Sequence, residues 1–368
     1  MRRSDVPVFA CLLLLVASNG VQLARASSTI DLEASNGATV CPVAPFYGVW
    51  NSTSSTCFIT GAVSFASGST VQIGSNVTLN VEQEGSISLS GALEAGGTVY
   101  DYGGIIIGST GSLVTSGNFG VQIGATLDNF GLINDTQNGM PVWGVLTNEA
   151  GGEIYVSSTG GMASLGVIAN YGTVLNHGHF DAKPISEPLT TPGDIENFAS
   201  VVNLNSISIG GRFTNEGDGL VVNSASGTGQ GFSIACFTPE EFPGILATCG
   251  SFTNDGTFNN TSTGGMSVIS NVTAINSGEM SNGGTLNVYS VFNNTATISN
   301  TGNIGIGPNG TMNNEAGGSV NNAGSIVVQC GGSALLGQFN NMGTLTGNPV
   351  AAAQGCQVSS SAILSNGA

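Results

Sequence analysis

His177, His179 and Asp181 stand at alternate positions, and they are the residues of this chain best spaced to hold a metal ion. On an extended strand, residues two apart leave the same face. Two imidazoles and a carboxylate would suit a divalent transition metal there. The same spacing also fits polar residues pointing outward beside a turn. The chain has no other histidine, and no Gly-x-Ser-x-Gly elbow anchors a nucleophilic triad. A second candidate lies in the segment 226–251, which carries Phe232, Phe237, Glu240, Glu241 and Phe242. The paired glutamates offer oxygen ligands to calcium, the one cofactor the sequence leaves open. Phe237, Glu240, Glu241 and Phe242 would form a binding loop for sugar or protein, or else a solvated tip whose rings pack onto the body beneath.

The remaining special residues concern compartment. Arg2 and Arg3 precede an apolar run around Leu12–Leu15, and Ala24-Arg25-Ala26 follows, so residues 1–26 read as an export signal cut after Ala26. Six cysteines remain, in three close pairs along the chain: Cys41 with Cys57, Cys236 with Cys249, and Cys330 with Cys356. An even count in an exported chain suggests disulfides, and sequential pairing suits an elongated body. The absence of Cys-x-x-Cys spacing disfavours zinc. Asn51, Asn76, Asn134, Asn259, Asn260, Asn271, Asn293 and Asn309 head Asn-x-Ser/Thr triplets, candidate glycan acceptors in a eukaryotic secretory pathway.

Charge narrows the partners. The formal net charge is −17. Beyond the leader, Lys183 and Arg212 are the only basic residues. Phosphate binding needs clustered lysine and arginine, so nucleic acid is excluded as an expected partner, as are anionic membrane surfaces. Past the leader no apolar run is long enough to span a membrane. Extracellular glycans or like subunits remain as partners.

All these residues must be positioned by one dominant pattern, Φ-x-Asn-x-Gly-x-Φ with Φ apolar. Clear copies centre on Asn129, Asn170, Asn176, Asn254, Asn276, Asn282, Asn300, Asn322 and Asn341. Looser ones centre on Asn148, Asn215, Asn294 and Asn314. So short a unit cannot bury its own apolar residues, and is stable only when successive coils stack. The larger spacing gives a coil of about 18–22 residues with about three sides, the scale of a parallel β-helix. Asparagine tolerates the left-handed region and glycine takes positive φ freely, so each Asn-x-Gly predicts a corner. Met280, Leu286, Val288, Phe292, Ile298, Ile304 and Ile306 should face inward, with asparagine amides laddered along the axis.

The expected layout is a cap over 27–60, a β-helix over 61–345 with insertions at 182–194 and 226–251, and a tail or second cap over 346–368. The expected class is therefore all-β, a right-handed parallel β-helix solenoid with disulfide-bonded loop and end segments.

On repeat period and Asn-Gly corners the chain resembles right-handed β-helix proteins, a class that includes pectate lyases, polygalacturonases, phage tailspikes and adhesin passenger regions. The polygalacturonase-like pattern requires Asn-Thr-Asp, Asp-Asp, Gly-His-Gly and Arg-Ile-Lys. Here the nearest approach is Asn176-His177-Gly178-His179-Phe180-Asp181, with glycine and histidine in the wrong order. Pectate lyase-like sites need a basic catalyst beside a calcium cluster, and neither Lys183 nor Arg212 lies in one. The resemblance therefore implies architecture. The function it leaves is a secreted, non-enzymatic structural or adhesive protein of a matrix, cell wall or surface fibre, able to assemble end to end. A β-helix carbohydrate-active enzyme and a lectin-like module are the alternatives.

Overall fold

The computed structural model describes residues 28–137, 139–183, 192–225, 231–237, 248–269, 271–329 and 338–352. Among them the chain winds as a three-sided parallel β-solenoid. Its sides are sheets of 14, 13 and 15 strands, and each sheet takes every third strand of the main winding. Successive coils lie in strict register: Thr273–Asn276 pairs with Val291–Asn294, setting Ala274 beside Phe292 and Asn276 beside Asn294.

Most strands are four residues long, and the second and fourth side chains point inward, as in Thr285–Val288. The second position is apolar on every side. All seven residues expected to face inward, from Met280 to Ile306, are buried. The fourth position distinguishes the sides. In the 15-stranded sheet it is mostly apolar, as at Val81, Val121, Ile209, Ile234, Val288 and Ile306. In the other two sheets it is mostly asparagine, again buried. The sequence beat thus marks two of three corners, so Asn276 and Asn282 belong to different columns.

Each column is a chain of side-chain amides. In one, Asn129 Nδ2 donates to Asn148 Oδ1, and this link repeats through Asn170, Asn197, Asn215, Asn254, Asn276, Asn294, Asn314 and Asn341, at 2.6–2.8 Å throughout. The other runs from Asn176 through Asn203, Asn223, Asn260, Asn282 and Asn300 to Asn322. The second amide hydrogen usually reaches a backbone carbonyl, such as that of Thr297 from Asn276, at 3.1 Å. Burying a primary amide is costly unless its groups are bonded, and these are.

The expected positive φ at Asn-x-Gly is not found. Gly172, Gly278, Gly302 and Gly324 are absent from the positive-φ residues, and so are the column asparagines. Close approach explains the glycine instead. A Cβ on Gly302 would overlap the carbonyl oxygen of Gly284 one coil earlier, and one on Gly278 that of Gly256.

The boundaries also shift. Segment 27–60 is partly the first coil: Ser28–Leu32 joins the 14-stranded sheet and Thr56–Ile59 the 15-stranded sheet. Val49–Asn51 then covers the outer edge of Thr56–Ile59 in antiparallel pairing. Cys41 and Cys57 are disulfide-bonded, and Phe46 meets Phe65 edge-on at 5.6 Å. The insertion at 226–251 is shorter than expected, because Gly231–Ile234 is a regular strand of the 15-stranded sheet. At the other end, Val350–Ala352 continues that sheet past Leu345.

Candidate functional site

His177, His179 and Asp181 do not converge. His179 and Asp181 share the outer face of the strand His179–Ala182, but His177 lies in the preceding turn with its ring 5.3 Å from that of Tyr155. Lys183 Nζ takes the Asp181 carboxylate at 2.8 Å, so that group is already paired. Among the described residues no group of three metal-ligating side chains forms.

The 226–251 candidate divides. Phe232 is buried and meets Phe213, Phe252 and Phe258 edge-on at 5.0–5.4 Å, an aromatic cluster within the core. Cys236–Phe237 and Thr248–Cys249 form a small antiparallel ladder closed by the Cys236–Cys249 disulfide. Glu240, Glu241 and Phe242 lie outside the described residues, as do residues 1–26, Cys330 and Cys356.

The glycan-acceptor candidates also separate by position. Asn51, Asn76, Asn271 and Asn309 are exposed. Asn134, Asn259 and Asn293 are half-buried, and Asn293 Oδ1 accepts from Asn313 at 2.8 Å. Asn260 is fully buried, and its amide donates to Asn282 Oδ1 at 2.7 Å. A glycan on that nitrogen is incompatible with the column, so Asn260 is withdrawn as an acceptor.

A feature the sequence reading missed lies on the outer face of the 15-stranded sheet. Three hollows follow one another along it. The first, of about 570 Å³, is lined by Val49, Phe58, Thr60 and the run Glu82-Gln83-Glu84. The second, of about 240 Å³, lies among Tyr100, Asn118, Gly120, Pro141 and Trp143. The third, also about 240 Å³, shares Gly139 and Pro141 with the second and reaches Ala163, Asp181 and Lys183.

Local sequence explains the relief. The outward third positions of successive strands are Phe58, Asn80, Tyr100, Gly120, Pro141, Ala163 and Asp181. Their middle members are small or lack reach, so the floor sinks there. Register places Pro141 beside Gly120, and the pairing between their strands is reduced to Val121 with Val142. Proline has no N–H to give the ladder, which is why it is rare in central strands. Tyr102, Gln122 and Trp143 occupy one corner position in successive coils, since their N–H groups reach Val81, Asp101 and Val121. Of the three, Trp143 lines the second hollow. The signals present in the sequence were a proline inside strand-like alternation and aromatics recurring at the coil period.

Behind this face the 15-stranded sheet breaks its own rule. Asp101 occupies an inward fourth position, between Val81 and Val121 in adjacent coils, and is fully buried. Burial pushes its carboxyl up to about 7, against a single N–H from Gly103 at 3.1 Å. Its Oδ2 has no partner.

No family model matches the chain, and no curated protein does. Among solved structures, the crystal structure of a TibC-catalyzed hyper-glycosylated TibA fragment aligns with 89% of this chain and 97% of that one. Identity is 15% and the TM-score 0.30.

Proposed function

We propose that this chain is a non-enzymatic structural or adhesive rod of an extracellular matrix, cell wall or surface fibre. The observation that carries the reading is the pair of continuous amide columns inside a shared core. They tie each coil to the next from Asn129 to Asn341. Thirteen to 15 rungs per side, at about 4.8 Å each, make a body roughly 60 Å long. Such a body spans distance, and its closed ladders leave a protease little free backbone along the sides. The Cys41–Cys57 and Cys236–Cys249 disulfides support an oxidising compartment. The leader-like residues 1–26 point the same way. Ends made of strand edges also suit stacking of one copy on the next, a contact that grows without closing.

The test is to express the full chain in a eukaryotic secretory host. Recovery from the medium as a chain lacking residues 1–26, with small-angle scattering of an elongated particle, is the expected result. Retention inside the cell or a compact sphere would overturn the proposal. Electron microscopy of the concentrated protein reads the end-to-end variant directly. Release of reducing ends or unsaturated products from pectins and glucans would move the chain to the enzymes.

A further inference from the structure

We propose that the outer face of the 15-stranded sheet, from Phe58 to Asp181, binds a neutral, extended polysaccharide chain lying along the rod axis. The inference deepens the adhesive reading and rests on it. The second and third hollows share Gly139 and Pro141 and together reach from Tyr100 to Asp181, with the first in earlier coils of the same sheet, so the surface fits a linear ligand longer than a single sugar. Tyr100, in the lining of the second hollow, is 39% exposed, and the ring of its neighbour Tyr102 lies 6.4 Å from its own. Trp143 lies over Gly120, where a Cβ would stand 3.2 Å from its ring. An equatorially linked sugar presents flat C–H faces to such rings and hydroxyls to the side. Asn118 and Gln122 supply amides beside the rings, and the Asp181–Lys183 pair supplies a donor and an acceptor at the far end.

Two observations favour this occupant over others. The strands beneath the second and third hollows are interior to their sheet, with neighbours on both sides. A peptide therefore finds no strand edge to extend, the usual source of its main-chain hydrogen bonds. Charge argues against an acidic polysaccharide. The molecule carries −17 overall, Glu82 and Glu84 line the first hollow, and Lys183 is already paired.

The test is calorimetric titration of the full chain with cellohexaose and with laminarihexaose, followed in parallel by tryptophan fluorescence. Saturable binding of at least one is expected. Trp143→Ala and Ala163→Arg should each weaken it tenfold or more, the second by filling the floor from an outward position. Ser267→Arg, on the same sheet face but outside the hollows, should bind as the parent does. All variants are compared by circular dichroism, so that a fold defect is separated from a lost contact. Silence with both oligosaccharides, or binding unaffected by both groove variants, overturns the proposal. Binding of acidic oligogalacturonate alone overturns the neutral class. A rod by scattering with silent titrations removes this inference and leaves the structural reading intact, whereas a compact particle removes both.

Discussion

Asn215 donates its side-chain amide to Asn254 at 2.7 Å although 39 residues separate them, whereas Asn276 and Asn294 make the same bond across 18. The extra chain, including the Cys236–Cys249 ladder, is therefore accommodated outside the column. Replacing residues 238–247 with a Gly-Ser-Gly link should leave the sheet spectrum unchanged and the melting temperature within a few degrees. A collapse of the cooperative melt would show that the excursion helps hold the coils together.

Within a column, each amide answers for two neighbours. Asn282→Ala takes the donor from Asn300 Oδ1 at one side and, at the other, leaves Asn260 Nδ2 with only its bond to the Thr285 carbonyl. Leaving buried polar groups unpaired costs about 1–3 kcal/mol each, so a loss of roughly 2–6 kcal/mol is expected. Solenoid stability is local as well as global. Hydrogen exchange should therefore rise first in the strands Thr257–Asn260, Glu279–Asn282 and Thr297–Asn300, with uniform protection counting against the column's role.

Glycine substitutions should divide by position. Gly302→Ala drives a methyl into the carbonyl of Gly284, while a Cβ on Gly217 meets nothing within 4 Å. Urea denaturation should show Gly302→Ala destabilised by several kcal/mol. Gly217→Ala should be neutral or gain up to about 1 kcal/mol, by narrowing the unfolded ensemble. Equal effects at the two sites would contradict the close-approach account.

Asp101 gives the molecule a pH dependence of known sign. Its folded pKa, about 7, lies above the ordinary carboxyl value of 3.8 because burial disfavours the charge. The folded state therefore holds the proton more tightly. This contribution is fully present below about pH 4, shrinks as pH rises, and is gone above pH 7. At about 1.4 kcal/mol per unit the swing is on the order of 4 kcal/mol. Asp101→Asn should flatten the stability profile between pH 4 and 7 and raise stability at pH 8. An unchanged slope in the variant would assign it to other groups.

Much of this was legible because Φ-x-Asn-x-Gly-x-Φ is a packing rule written in sequence. The inward series from Met280 to Ile306 followed directly from period. Asn197, Asn203, Asn223 and Asn260 lack a glycine two residues later, as do Asn148, Asn294 and Asn314 among the looser copies, yet each of the four sits two after a buried Ile195, Val201, Val221 or Phe258. Φ-x-Asn alone would have found them. The reason for the glycine was misread because steric overlap with Gly284 or Gly256 comes from a different coil, and only stacking reveals it. The hollows were hidden for a similar reason: Tyr100, Gly120, Pro141 and Ala163 become a floor only once the coil length is fixed residue by residue. His177 and Asp181 matched on spacing, but spacing could not show that Tyr155 and Lys183 would engage them.

The side-chain amides of both columns all donate in the same sense, from earlier coil to later. Turning a single one over would set hydrogen against hydrogen on one flank and oxygen against oxygen on the other. The orientation of the first asparagine thereby dictates that of every successor, so the interior behaves as a compass with one permitted heading.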